Sequence, residues 1–378
     1  MKSASALARN DVKRLKPCVH GGEVWEVAKE KGVSVKDLLD FSSSINPLGP
    51  SLRALEAIKN SFAELPLYPD SNSTALREAI ACHFGAISKN NVIVGNGSTE
   101  LIYLFAQVFL RKGDVALIPT PTFGEYANAV AKSGSKLRLL KMSRDFQIQP
   151  DVFKFKMEGV KAVFLCNPNN PTSMLIPHDT LVEIVEKARD ENVVVFLDED
   201  FIEFVENENQ HSLVNATGKY PNVFVLRTFT KFYGLTGLRV GYGIADEETI
   251  DLFSKVKMPW NVNSLAQAAA IAALADEEHS RRTFEVVRSE REFLSRELAE
   301  VKGFEVFPAD SNFIFINVRQ SGFTAAQLRK RLISHGMLVR DCGSFDGLDS
   351  YYVRVAVRTR EENERLLEAF RKVLKRAS

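Results

Sequence analysis

A lysine set among aromatic rings and hydroxyls is the first place in this chain where residue types and spacing could do chemistry. Residues 228–242 put Thr228, Thr230, Lys231 and Arg239 into a glycine-containing loop between two apolar runs. Phe229, Phe232 and Tyr233 around Lys231 predict a partly desolvated amine, whose pKa falls toward the range that imine chemistry needs. Arg239 and the two hydroxyls could complete a cradle for a phosphate. Asp198 closes the apolar run 193–197, where a carboxylate is costly unless it is paired. A protonated ring nitrogen would be a suitable partner, and capping a neighbouring element is the alternative.

Two loops add polar groups. Residues 95–100, Gly-Asn-Gly-Ser-Thr-Glu, follow one predicted strand and open a helix, so backbone N–H groups and the helix dipole could hold an anion. The same small residues serve equally well as a turn and cap. Residues 167–172, Asn-Pro-Asn-Asn-Pro-Thr, follow another strand, and their two prolines stiffen a loop from which an Asn side chain could donate to a ring oxygen.

The elements that must carry these groups are legible as apolar runs at 92–94, 115–118, 162–165, 193–197 and 223–226, with helical patterns between most of them, as at 99–110 and 180–190. That alternation predicts an α/β fold, a mainly parallel sheet flanked by helices, with the chemistry beyond the carboxyl ends of the strands. The C-terminal third reads as a smaller α+β domain, with a charged helix at 277–300, strands at 313–318 and 351–357, and a last helix from 361. Thr359 and Glu362 have capping-box spacing there. We expect an N-terminal arm over 1–45, a large domain over 46–257 and a small domain over 258–378.

The chain has 378 residues, enough for more than one core at about 100–200 residues per domain. Its 49 Lys plus Arg against 48 Asp plus Glu give a net charge of +1, which offers no global footprint for nucleic acid or an anionic membrane. Cys18, Cys82, Cys166 and Cys342 match no close-paired metal spacing, so no metal is expected. Residues 1–16 lack the apolar core of a secretory signal, and no run approaches the roughly 20 apolar residues of a membrane span, so a cytoplasmic protein is expected.

Taken together and in this order, the four segments resemble fold-type I pyridoxal 5'-phosphate (PLP) enzymes of the aminotransferase class I/II family. The resemblance implies that Lys231 holds PLP as a Schiff base, that Asp198 partners its pyridine nitrogen and that Asn170 bonds its 3'-oxygen. It implies Gly97, Ser98, Thr99, Thr228, Thr230 and Arg239 around the phosphate, and Phe123, in 121–126, stacked on the ring. Tyr68 resembles the residue that reaches into a neighbouring subunit's site, which implies a homodimer. Ser173 stands where the family usually has Gly, and Phe201 where many members have a Tyr.

Within that family, His20-Gly21-Gly22-Glu23 and residues 42–49, 258–263, 347–356 and 363–367 resemble threonine-phosphate decarboxylases of cobalamin synthesis. That likeness implies decarboxylation of L-threonine O-3-phosphate to (R)-1-amino-2-propanol O-2-phosphate, with His20, Asn46, Arg340 and Arg354 at the substrate. Histidinol-phosphate aminotransferases share most of the cofactor motifs and are the alternative. L-serine O-phosphate is an alternative substrate.

Overall fold

The computed structural model describes residues 3–13, 15, 17, 18 and 20–375. Within the stretch 1–16, read above as lacking a secretory signal, Met1, Lys2, Arg14 and Lys16 lie outside the described residues, as do Val19 and 376–378.

Apolar, β-branched runs build the central sheet because strands covered on both faces need no polar alternation. Seven strands lie side by side in the order Val92–Gly95 (β1), Gly241–Ile244 (β7), Val223–Thr228 (β6), Val194–Asp198 (β5), Ala162–Cys166 (β4), Val115–Thr120 (β2) and Lys136–Lys141 (β3). All neighbours are parallel except at β7, which runs antiparallel to β1 and β6. The five strands read from the sequence are all present. The two unread ones hide their character for physical reasons: β7 contains two glycines, and β3 is a half-exposed edge carrying Lys136, Arg138 and Lys141, charges that discourage edge pairing.

Side chains alternate between two cores across this sheet. Phe164, Phe196 and Phe224 point to one face, while Val163, Val195 and Val225 belong to the other. Helix α1 (Ser98–Phe109) covers the first face with Phe105, whose ring meets Phe164 at 5.3 Å and Phe196 at 4.9 Å. A Cβ on Gly243 would come within 2.1 Å of the Phe224 ring, so a glycine in β7 makes room for that aromatic layer. Each such buried ring contributes roughly 1.5–3 kcal/mol by leaving water.

Near the C-terminus a four-stranded antiparallel sheet runs Arg340–Asp341 (β10), Tyr352–Ala356 (β11), Phe313–Asn317 (β9) and Glu305–Val306 (β8). Helices Glu277–Ala299 and Arg360–Lys375 belong to this part, as expected. Glu362 accepts from the Thr359 N–H at 3.2 Å, the expected half of a capping box, but it also accepts from the Thr359 hydroxyl at 2.9 Å. Leu39–Asp40 pairs in parallel with Met337–Leu338, so this N-terminal stretch is stitched to the C-terminal part. Among the described residues no helix is long and apolar enough to cross a membrane.

Candidate active site

Strands β4, β5 and β6 end at Cys166, Asp198 and Thr228, and the loops that leave them form one wall of a cavity of about 960 Å³. Of the residues singled out above, Ser98, Thr99, Phe123, Asn170, Asp198, Thr230, Lys231, Arg239, His20, Arg340 and Arg354 line this one cavity.

Lys231 sits on a loop braced from several sides. Phe229 N–H donates to Val240 at 3.2 Å, the Thr236 hydroxyl to the Thr230 carbonyl at 3.0 Å, and Asn46 N–H to the Lys231 carbonyl at 3.0 Å. Gly234 has φ +69°, and a Cβ there would lie 2.8 Å from the carbonyl carbon of Gly49, so only glycine lets the loop press against residues 49–50. The Lys231 ammonium lies 5.5 Å from the centroid of Phe201. Burial lowers its pKa, and the charge of Asp200 opposes that.

Asp198 is buried, and both its oxygens already accept: one from the Tyr126 hydroxyl at 2.5 Å, the other from the Asp200 N–H at 2.9 Å. Burial, and then the neighbouring charge of Asp200, push its carboxyl well above the usual range, while the Tyr126 hydrogen bond pulls it back. Tyr126 belongs to helix α2 (Glu125–Ser133), whose ring stacks on Phe164 at 5.7 Å. Asp200 gives one oxygen to the Ser98 hydroxyl at 2.9 Å, and burial lifts its carboxyl to about 6.

The helix that Ser98 opens begins after Gly97, which has φ +79°; a Cβ on Gly97 would meet the Arg239 guanidinium at 2.4 Å. This brings an arginine and a helix N-terminus together. Thr228 stands just behind the wall, its hydroxyl 2.9 Å from that of Thr230.

At the other end Arg340 and Arg354 face each other directly across β10 and β11. Like charges set opposite one another cost stability, which an anion between them would relieve. Arg354 donates to the Asn170 carbonyl oxygen and, at 2.6 Å, to the Ser42 carbonyl. Burial lowers its pKa to about 10. Arg340 donates to the His20 carbonyl and the Ser344 hydroxyl, each at 2.9 Å. The His20 ring lies 2.9 Å from one carboxylate oxygen of Glu125, whose other oxygen accepts from the Tyr103 hydroxyl. His20, ahead of Tyr103, holds the Glu125 carboxyl down at about 2.

One expectation meets a different arrangement. Asn46 was read as a substrate contact, yet it does not line the cavity. Its amide donates to the Phe232 carbonyl at 2.8 Å and to Thr283 at 2.9 Å, and its carbonyl oxygen accepts from Leu48 N–H at 2.9 Å. That side chain is fully used in fastening the Lys231 loop. Tyr68 also stands away from this cavity, 79 % exposed and stacked on Trp260 at 4.7 Å beside exposed Leu65, Leu67 and Met258. Glu125, Tyr126 and Asp200 escaped the sequence reading. The only local signal was an acidic run after a buried strand for Asp200, and a tyrosine three residues from Phe123.

Among known proteins, the model of the family described as aminotransferase class I and II matches residues 36–370. The chain is 36% identical over 362 residues to the histidinol-phosphate aminotransferase of Methanosphaera stadtmanae, covering 95% of this chain and 96% of that one. It is 34% identical over 358 residues to the threonine-phosphate decarboxylase of Salmonella typhimurium, covering 94% and 96%. The solved histidinol-phosphate aminotransferase of Sinorhizobium meliloti, in complex with pyridoxal 5'-phosphate, superposes over 100% of both chains with a TM-score of 0.88 at 23% identity, a likeness of fold.

Proposed function

The chain belongs to the class I and II aminotransferase family, and from that premise we propose that it is a PLP enzyme that decarboxylates a small phosphorylated amino acid, L-threonine O-3-phosphate. The residues fit the cofactor. A carbonyl-reactive amine (Lys231), a buried acid (Asp198), an anion cradle (Ser98, Thr99, Thr230 and Arg239) and a flat apolar face (Phe123) line one cavity. Gly97 and Thr228 support the cradle from behind. Bound there, PLP supplies an electron sink that lets a bond to the α-carbon of an attached amine break.

The protein's own groups then choose the bond. Lys231 would hold the cofactor and, when substrate is bound, would keep a proton near the α-carbon to replace the departing carboxylate. Asp198 keeps the ring nitrogen protonated, and Asn170, with its carbonyl oxygen turned to Arg354, has donor capacity left for the ring oxygen. Arg340, Arg354 and His20 hold the phosphate and carboxylate and set which α-carbon bond stands across the ring. Carbon dioxide leaves, and a proton at the α-carbon completes (R)-1-amino-2-propanol O-2-phosphate.

The observation that carries this reading is the cross-strand arginine pair, Arg340 opposite Arg354, with His20 beside it: a substrate with two anionic groups satisfies it. A second reading, histidinol-phosphate aminotransferase, is favoured by the Methanosphaera relative. It presents one phosphate in one half-reaction and a dicarboxylate in the other. The reading takes the chain as a cytoplasmic homodimer that receives Tyr68 from the neighbouring subunit, with 1–45 as arm, 46–257 as cofactor domain and 258–378 as small domain.

The deciding experiment measures carbon dioxide released from L-threonine O-3-phosphate and, separately, glutamate formed from histidinol phosphate and 2-oxoglutarate. Carbon dioxide release without amino transfer supports the proposal; amino transfer alone replaces it with the second reading. L-serine O-phosphate belongs in the same assay, since one methyl group gives only about 10–200-fold discrimination.

A further inference from the structure

Asp200 lines the cavity beside Lys231 and has no task in the reading above. It leaves strand β5 two residues after Asp198. Its Oδ2 accepts from the Ser98 hydroxyl at 2.9 Å, which fixes the carboxylate against the start of helix α1. Its Oδ1 is closed off from solvent and accepts no hydrogen bond from the described residues. A shielded carboxylate oxygen of this kind calls for a cation. Asp198 acts on the lysine less strongly than Asp200 does, and each of its oxygens already accepts a hydrogen bond, from Tyr126 and from the Asp200 N–H.

The charged groups facing these two residues come from every side. Asp200 meets Lys231, Arg239 and Arg227, and Asp198 lies beside it. Lys231 meets Asp200, Arg354, Arg239 and Asp198, and of the two carboxylates Asp200 acts on it more strongly. Tyr126 and Cys166, which face Asp198, are pushed upward by burial and stay neutral through the working range. Ser98 cannot titrate.

We propose that Asp200 is a positioning residue for the Lys231 nitrogen: its carboxylate, held by Ser98, is the local counter-charge that keeps this nitrogen protonated once it is joined to the cofactor. The inference rests on Lys231 being the cofactor-bearing lysine. It assigns to Asp200 a part in setting the pH range over which the loaded site is ready for substrate.

The test is a spectrophotometric pH titration of the full-length, PLP-loaded protein, following the yellow band of the lysine-bound cofactor. Removing the counter-charge in Asp200→Asn should lower the titration midpoint by one pH unit or more, a tenfold loss of proton affinity. Asp200→Glu, which restores a carboxylate, should lie between that variant and the wild type. Midpoints of Asp200→Asn and wild type that agree within about 0.3 unit overturn the inference. Should Asp200→Asn not fold or load, Ser98→Ala takes its place: freeing the carboxylate must lower the midpoint, and an unmoved midpoint overturns the inference. A wild-type protein that gives no yellow band sinks the cofactor reading itself, a separate outcome.

Discussion

Tyr126→Phe isolates the short hydrogen bond that holds Asp198. The substitution keeps the ring, which is fully buried and stacked on Phe164 at 5.7 Å, and deletes only the hydroxyl that donates to Asp198 at 2.5 Å. A hydrogen bond to an ionised carboxylate is worth about 1.5–3 kcal/mol. At 1.36 kcal/mol per pKa unit, its loss raises the proton affinity of Asp198 by roughly one to two units. Burial and the charge of Asp200 already push that carboxyl upward, and Tyr126 is the largest opposing influence. A site that needs anionic Asp198 to meet a ring nitrogen should therefore bind PLP about 10–100-fold more weakly. The assay is the PLP dissociation constant by fluorescence quenching, beside a thermal melt that verifies folding. A folded variant whose dissociation constant moves by less than about threefold, a change worth well under 1 kcal/mol, refutes the argument.

Three other substitutions probe separate parts of the molecule. Arg354→Gln should lower kcat/KM for the phosphorylated substrate at least about 30-fold, the equivalent of about 2 kcal/mol for a charged hydrogen bond; a value within about threefold of wild type would refute anchoring by that residue. Glu203→Gln should stabilise the protein increasingly at alkaline pH. Burial holds the Glu203 carboxyl at about 8 against an ordinary 4.5, so the folded state carries the extra proton between those values and loses stability as pH rises through them. The melting temperature of the variant relative to wild type should grow by at least about 2 °C between pH 5 and pH 9, figures that correspond to ~1 kcal/mol in a chain of this size; a flat difference refutes it. Trp260→Glu should convert a dimer into a monomer in sedimentation velocity, because it puts a charge beneath the exposed Tyr68 ring; an unchanged sedimentation coefficient argues against that face.

What could be read from residues alone divides by the range of the interaction. Runs such as Val223–Thr228 announce a buried strand within their own length, and the short loops after them announce where a ligand could sit. The partners of those loops are a different matter. Tyr126 reaches Asp198 across 72 positions, and Arg354 reaches Asn170 across 184, so neither contact has a local signature. Asn46 looked like a site residue because of the resemblance of its segment, but its job is 186 positions away, at the Phe232 carbonyl. Strand β3 was hidden by its own edge position, since a half-exposed strand bearing Lys and Arg has neither an unbroken apolar run nor a clean alternation.

The two ends of the cavity carry different amounts of information about the reaction. In the proposed reading Lys231, Asp198 and Asn170 make a site competent to weaken any bond to an α-carbon, so they speak to the cofactor and leave the choice of bond open. We propose that the choice is made where β10 and β11 bring Arg340 opposite Arg354, with His20 pinned between Arg340 and Glu125. An aminotransferase must turn the α-hydrogen across the ring, and a decarboxylase must turn the carboxylate there, so the same guanidinium can serve either outcome according to which anionic group it grips. Arg354 is already committed to the Ser42 carbonyl of the arm and to Asn170 of the cofactor wall. Its head is thereby fixed in position before substrate arrives, and a substrate must bring its anion to that point. On the proposed reading, the reaction is decided by the distance between the two anionic groups of the substrate measured against the spacing of the arginine pair.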